Sequence, residues 1–209
     1  MKQSTFFRSI ILLIFTITFS VTSKAQVYTG NLTLASQADV NAFSYSEVTG
    51  QLLISGASIA DLSPLSSLSS VGGDLEISSN LDLNNLNGLS SLSSVGGDLI
   101  VFNNSSLTTL DGVSSLSSVG GSVTITSNSS LSNLDGLSLL TSVGESITLL
   151  SNPAITNLDG LSLLTSVGED ISITSNSSLS NLDGLAALTS VGGDFFIVNN
   201  TVLTEYCGL

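Results

Sequence analysis

Carboxylates are the side chains of this sequence that combine chemical reactivity with regular spacing. One set recurs every 24 residues, at Asp111, Asp135, Asp159 and Asp183. Stacked carboxylates repel one another by about 1 kcal/mol in water, and Ca²⁺ relieves such repulsion because it binds several oxygens at once. The set is therefore a candidate calcium site. The alternative, which we prefer, is that each Asp accepts backbone N–H groups at a chain corner while water screens its charge.

A second set of carboxylates follows the Val-Gly dipeptides, at Asp74, Asp98, Asp170 and Asp194, with Glu145 and Glu169 beside it. These residues also recur with the repeat, whereas a catalytic pair would be a local break in regularity. The chain has no His, and the one cysteine, Cys207, has no base to activate it. Nucleophilic Ser–His and Cys–His arrangements and His-ligated zinc are therefore excluded. We expect no enzyme and no cofactor other than calcium.

Residues 1–25 have the composition of a secretory signal peptide. Lys2 and Arg8 precede an apolar stretch over 10–19, and Ser23-Lys24-Ala25 favours cleavage before Gln26. An uncleaved anchor is the alternative. Cleavage removes all 3 basic residues and leaves all 16 acidic ones. We therefore expect a secreted or surface protein, without membrane insertion after cleavage and without nucleic-acid binding, since no cation remains to neutralise phosphate.

The elements that position these residues repeat with the same period. Val-Gly recurs every 24 residues from Val71-Gly72 to Val191-Gly192, and an Asn follows each dipeptide at one offset, at Asn80, Asn104, Asn128, Asn152, Asn176 and Asn200. A fixed period of this length is typical of a solenoid. The Asn column predicts buried amides that bond between coils. If they are buried, the glycosylation-type sequences at Asn128 and Asn176 are accidental.

One coil can be read from residues 71–94. Apolar columns that begin at Leu75 and Leu86 predict an inward core, and residues 74–78 alternate as a strand does. Gly72 and Gly73 predict a corner with positive φ. Leucines three residues apart favour short extended or 3₁₀ segments. We therefore predict an all-β fold, a parallel β-solenoid with 24-residue coils.

The first coils are degenerate. Residues 30–34 predict a first strand, Ser36 with Asp39 predicts an N-cap for a short helix over 37–44, and 48–54 predict the next strand. We thus divide the chain into a signal peptide (1–25), an N-terminal cap with degenerate coils (26–70) and regular repeats (71–209) that end without a cap. An uncapped end favours association with another molecule through that end, or indicates that the chain is a fragment of a longer protein. Cys207 either pairs outside this chain or serves as a small hydrophobe.

The repeat unit Val-Gly-Gly-Asp-Leu-x-Ile-x-x-Asn-x-x-Leu-x-x-Leu resembles the receptor L-domain family over roughly residues 30–209. The resemblance implies a right-handed β-helix related to leucine-rich repeats, from the extracellular ligand-binding lobes of receptors, with similar repeats in secreted bacterial surface proteins. It implies binding through a sheet face but assigns no contact residue. Unlike receptor L domains, this chain forms no internal disulfide, since it has one cysteine.

Outward strand positions are the predicted contact surface for a partner. Apolar residues there often mark interaction sites, and the candidates are Ile100, Phe102, Thr124, Thr126 and Leu150. The hypothesis is a non-catalytic recognition or adhesion module that binds an extracellular protein or glycan, at or outside a bacterial cell surface. The competing hypothesis is a structural spacer in a larger surface protein. Calcium-binding and ice-binding solenoids are further alternatives, the latter from Thr124-x-Thr126.

Overall fold

The computed structural model describes residues 26–204 as a stack of coils, each of which adds one strand to each of two parallel sheets. The predicted parallel β-solenoid is confirmed. The predictions on the signal peptide (1–25) and on Cys207 lie outside the described residues. We call the sheet with the longer strands the large sheet and the sheet with two-residue strands the small sheet. The large sheet pairs neighbouring coils in register, as in Leu75↔Leu99 and Val123↔Ile147.

The large sheet has eight strands: β2 (Leu32–Leu34), β4 (Leu52–Ile54), β6 (Leu75–Ser78), β8 (Leu99–Phe102), β10 (Val123–Thr126), β12 (Ile147–Leu150), β14 (Ile171–Thr174) and β16 (Phe195–Val198). The small sheet also has eight: β1 (Val27–Tyr28), β3 (Glu47–Val48), β5 (Ser70–Val71), β7 (Ser94–Val95), β9 (Ser118–Val119), β11 (Ser142–Val143), β13 (Ser166–Val167) and β15 (Ser190–Val191). Six 3₁₀ segments complete the coils: Ser63–Leu65, Asn87–Leu89, Asp111–Val113, Asp135–Leu137, Asp159–Leu161 and Asp183–Leu185. The predicted 3₁₀ pieces are thus confirmed.

The core is one continuous column of aliphatic side chains between the two sheets and the 3₁₀ segments. Leu75, Leu86 and their equivalents one coil later are buried as predicted. A single coil has no second layer to cover its apolar face, so burial depends on the coils above and below. At the last described coil the cover ends, and Leu188, Val191, Phe195 and Ile197 are only partly buried.

The first coils are shorter than the rest. Leu32 pairs with Leu52, which pairs with Leu75, whereas every later step from Leu75 to Phe195 spans 24 residues. The predicted helix is present as α1 (Gln37–Asn41). It ends three residues before the predicted 44 because Ala42 already caps it, donating its N–H to the carbonyls of the preceding turn.

The predicted N-cap of α1 is confirmed. The Ser36 hydroxyl accepts the Asp39 N–H at 3.2 Å and donates to the Asp39 carboxylate at 2.8 Å. That carboxylate also accepts the Ala35 N–H at 3.1 Å. These bonds, the Ser36 hydroxyl first, lower the pKa of Asp39, because they stabilise its charged form.

The small sheet was not predicted, and one predicted strand was wrong. Residues 48–54 are not one strand: β3 ends at Val48 and β4 begins at Leu52, and the two strands belong to different sheets. The chain turns a corner between them at Gly50, where a Cβ would overlap the Gly30 backbone of the preceding coil. Two-residue strands are too short to show period-two alternation, which is why the pattern missed them.

The role predicted for Gly72 and Gly73 was also wrong. Gly30, with φ 100°, is the only described glycine at positive φ. Glycine is required at Gly72 for a different reason: a Cβ there would overlap the Thr49 carbonyl one coil away. The left-handed conformation occurs instead just after each large-sheet strand from β6 to β16, with φ between 55° and 60°, at Ser79, Asn103, Ser127, Ser151, Ser175 and Asn199.

Candidate functional site

The outer face of the large sheet carries the residues that the sequence singled out. Successive strand residues point to opposite faces, so alternate positions form three outward columns. The first column lies at the amino ends of the strands and comprises Asp74, Asp98, Ser122, Ser146, Asp170 and Asp194. The second is Glu76, Ile100, Thr124, Thr148, Ser172 and Phe196, and the third is Ser78, Phe102, Thr126, Leu150, Thr174 and Val198.

The structure brings all five predicted contact residues together on three adjacent strands. Ile100 pairs with Thr124, and Thr126 lies between Phe102 and Leu150. Paired residues on neighbouring strands are about 4.8 Å apart. Phe102 exposes 42% of its surface, whereas Ile100 and Leu150 are half-buried. These residues form what we call the apolar patch, defined as Ile100, Phe102 and Leu150, with two threonines between them.

The threonines of the face do not form a continuous array. Thr126 has Phe102 on one side and Leu150 on the other. Thr124 pairs with Ile100 and with Thr148. Two apolar residues, Phe196 and Val198, lie at the other end of the face on β16 and are 45% and 46% exposed. The face therefore carries apolar residues on β8, β12 and β16, and hydroxyl-bearing residues on the strands β10 and β14 between them.

The first outward column has a structural role that fixes its carboxylates. Asp74 Oδ1 accepts the Asp98 N–H at 2.9 Å, and Asp98 Oδ1 accepts the Ser122 N–H at 2.7 Å. Asp170 accepts the Asp194 N–H in the same way at 2.7 Å. Where Ser replaces Asp in this column, a neighbouring Glu takes part: Glu145 accepts from the Ser122 hydroxyl at 3.1 Å. The carboxylates of Asp74, Asp98 and Asp170 are thus each tied to the next coil.

The candidate calcium residues lie elsewhere, at the start of four 3₁₀ segments. Asp111, Asp135, Asp159 and Asp183 are exposed. The alternative predicted for them was wrong in one respect: the corner bond runs from the aspartate's own N–H, as from Asp135 to Asn133 Oδ1 at 3.1 Å. Among residues 26–204, no three or more His, Cys, Asp or Glu side chains are grouped so that they could hold a metal ion.

The asparagine column is buried and bonds from coil to coil, as predicted. Asn128 Oδ1 accepts the Asn104 N–H at 3.0 Å, and Asn128 Nδ2 donates to the Val101 carbonyl at 2.9 Å. The same pair of bonds recurs from Asn80 to Asn176. Because Asn128 and Asn176 are buried, the glycosylation-type sequences at these positions do not mark accessible sites.

Sequence reasoning missed a long groove on the outside of the small sheet, of about 800 Å³. Serines and glycines of successive coils line it, such as Ser94 and Gly96, and Glu47 lies at its first coil. The outward serines recur one coil apart, and their hydroxyls have no hydrogen-bond partner among the described residues. The recurring Ser-Val-Gly was visible in the sequence. Its strands are only two residues long, however, so they show no alternation that would have predicted a sheet with an outer groove.

Comparison with known proteins places the chain in a family. The model of the receptor L domain family matches residues 26–136, just over half of the chain, whereas the sequence resemblance extends to 209. No curated protein matches the chain. Within residues 26–204, no helix is long and apolar enough to cross a bilayer. Receptor L domains are extracellular modules that bind ligands and carry out no catalysis. The chain belongs to the receptor L domain family.

Proposed function

We propose that this protein is an exported recognition or adhesion module whose outer large-sheet face binds an extracellular protein or glycan. The observation that carries the proposal is the apolar patch. Phe102 is 42% exposed, with half-buried Ile100 two residues before it on the same strand and half-buried Leu150 two strands away, beyond Thr126. An exposed aromatic side chain with aliphatic neighbours is a common centre for a binding interface.

The architecture supports binding at this face. The strands that hold the patch pair with neighbours on both sides, and the Asn ladder secures the coils behind them. Strands that are paired on both sides lose little backbone conformational entropy on binding. The inward residues of β8, Leu99 and Val101, are buried in the core, so outward residues can vary without loss of the fold.

The second candidate is a structural spacer in a larger surface protein. The regular stacking of coils favours it, because a solenoid gives a rigid element whose length grows with the number of repeats. A spacer needs no apolar patch, however. Polar outward residues such as Thr148 and Ser172 would serve equally well on every coil. The patch therefore favours recognition over separation.

The experiment compares two serine substitutions of exposed apolar residues. Phe102→Ser removes the centre of the patch, and Leu163→Ser removes a side chain that is 50% exposed just after a 3₁₀ segment. Both variants and the wild-type chain are tested on arrays of extracellular proteins and of glycans. We expect Phe102→Ser to lower the affinity for a bound partner at least tenfold and Leu163→Ser to change it less than twofold. Both variants should have the melting temperature of the wild type. Partners that bind both variants equally would favour the spacer.

A further inference from the structure

We propose that the partner of the outer face is a cationic polypeptide segment, in which apolar side chains contact the patch and Lys or Arg side chains contact the carboxylates beside it. This inference deepens the proposed function and rests on it. It chooses a basic protein surface over a glycan. Two carboxylates support the inference. One lies on the strand next to Ile100 and Phe102, and the other lies one outward position before Ile100 along the same row.

Glu76 is the first of these carboxylates. It lies directly opposite Ile100 on the adjacent strand, while Ser78 lies opposite Phe102. Adjacent strands are about 4.8 Å apart. Glu76 is half-exposed, and its carboxylate accepts no hydrogen bond from the described residues. A charge in this position is free to pair with a partner's cation beside the apolar patch.

Asp98 is the second carboxylate, and it begins the outward row that continues with Ile100 and Phe102. Outward neighbours along a strand are about 6.6 Å apart. The bond from the Ser122 N–H to Asp98 Oδ1, at 2.7 Å, holds the side chain in place. Its Oδ2 has no partner among the described residues. The structure therefore presents a fixed acceptor at the edge of the patch.

No basic side chain of residues 26–204 competes for these carboxylates. The 3 Lys and Arg residues of the sequence all lie within residues 1–25, and there is no His. Every carboxylate of the solenoid therefore lacks an ion pair within residues 26–204. Complementary charge steers association and selects partners. Acidic glycans and acidic proteins are repelled by such a surface, whereas a basic protein is attracted from a distance of about one Debye length.

The apolar patch argues against a neutral glycan. The hydroxyl groups of a sugar need hydrogen-bonding partners, yet the side chains of Ile100, Phe102 and Leu150 offer none. The hydroxyls between them belong to two threonines, Thr124 and Thr126. An apolar centre with charge at the rim is instead the usual composition of a protein interface.

The experiment uses three labelled nine-residue peptides with the same alternating apolar residues and with Lys, Gln or Glu at the positions between them. Their affinities for the full chain are measured by fluorescence anisotropy. We expect the Lys peptide to bind, the Gln peptide to bind at least tenfold more weakly and the Glu peptide not to bind. Raising NaCl from 50 to 500 mM should weaken the Lys peptide severalfold.

Two charge variants separate local pairing from net attraction. Glu76→Gln and Asp135→Asn each remove one negative charge from an exposed or half-exposed carboxylate that accepts no hydrogen bond from the described residues. Asp135 lies on a 3₁₀ segment outside both sheets. We expect Glu76→Gln to lower the affinity for the Lys peptide about two- to fivefold, and Asp135→Asn to leave this affinity unchanged. Equal effects of the two variants would overturn the inference.

The remaining outcomes distinguish this inference from the proposed function. If Phe102→Ser abolishes binding of the Lys and Gln peptides alike and their affinities are equal, the face binds but the cationic partner is wrong. If Phe102→Ser leaves the Lys peptide unaffected, both the face and the cationic partner are wrong. The cationic partner is also wrong if the Lys peptide fails to bind at 1 mM. It is wrong as well if the wild-type chain binds a glycan but not the peptide, and Phe102→Ser no longer binds that glycan.

Discussion

The buried asparagines decide how each coil is joined to the next. From Asn104 to Asn200, each ladder Asn accepts from the backbone N–H of the preceding ladder Asn, and Asn80, the first of them, accepts the Gly56 N–H. Each also donates to a strand carbonyl, so its amide satisfies backbone groups that the corner would leave without partners. Burying such groups unpaired costs free energy. Within residues 26–204, no buried side-chain nitrogen or oxygen lacks a hydrogen-bond partner. The ladder is therefore structural, and its amides are not accessible to a ligand.

We predict that Asn128→Ala is among the more damaging single substitutions. It removes the acceptor of the Asn104 N–H and the donor to the Val101 carbonyl, while both groups stay buried. At about 1–3 kcal/mol for each of the two orphaned groups, the free energy of unfolding should fall by about 2–6 kcal/mol. Urea unfolding measures the change. Ser130→Ala, at an exposed position two residues later, is the control. A loss no larger than that of the control would show that the ladder does not stabilise the fold.

Among the elements, helix α1 is the exception to the repeat. It packs beside β2 and the first 3₁₀ segment, at the end of the stack where the core would otherwise be exposed. Val40 and Phe43 bury their side chains in that core. The cap of the helix depends on the Asp39 carboxylate, so the stability of this end is linked to pH.

We predict that the contribution of Asp39 disappears in acid. The pKa of its carboxyl in the folded protein is lowered below 3.8 by the Ser36 hydroxyl and the Ala35 N–H. A lowered folded pKa means that the stability is fully present above the unfolded pKa and is lost as pH falls through the folded value. The melting temperature of the wild type should therefore be higher than that of Asp39→Asn at pH 7. The difference between the two melting temperatures should disappear as pH falls below about 4.

Asp82→Asn is the matched control for this prediction. It also removes one negative charge, but the exposed Asp82 carboxylate accepts no hydrogen bond from the described residues. We expect the melting temperature of Asp82→Asn to be equal to or above that of wild type at pH 7, because one repulsive charge is gone. If the gap for Asp39→Asn were the same at pH 7 and at pH 2, the cap would not act through its charge.

The whole molecule is a stack of like charges held together by apolar burial and hydrogen bonds. The solenoid has no basic residue to offset its carboxylates. The aspartates of the first outward column lie one coil apart and repel one another. Apolar columns that run through every coil outweigh this repulsion, since burying each aliphatic side chain contributes about 1.5–3 kcal/mol.

We predict that salt stabilises this protein. Screening weakens the repulsion without breaking any ion pair, so the melting temperature should rise between 10 and 300 mM NaCl. At matched ionic strength CaCl₂ should act as NaCl does, because the carboxylates of residues 26–204 form no group that could hold a metal. Differential scanning calorimetry measures both. A rise specific to calcium, lost in Asp135→Asn, would instead support the calcium site at Asp111, Asp135, Asp159 and Asp183. A melting temperature that fell with salt would contradict the account of repulsion.

The sequence alone determined the parts of this structure that a period reveals. Apolar residues such as Leu86, and the amide column at Asn128, recur at fixed offsets because each stacks on its own equivalent. The N-cap at Ser36 was predictable for a local reason, since its partner Asp39 lies three residues away. The outward column that holds Phe102 followed from strand alternation.

Only the tertiary structure decided what lies between coils. Gly72 looks the same in sequence whether it serves a positive φ or a close contact, and the atom that excludes its Cβ belongs to Thr49, in another coil. The left-handed position falls on residues such as Ser127, which a local propensity does not single out. The two-residue strands of the small sheet exist because their neighbours pair with them. Such features depend on contacts across the stack, so they form only when the coils are assembled.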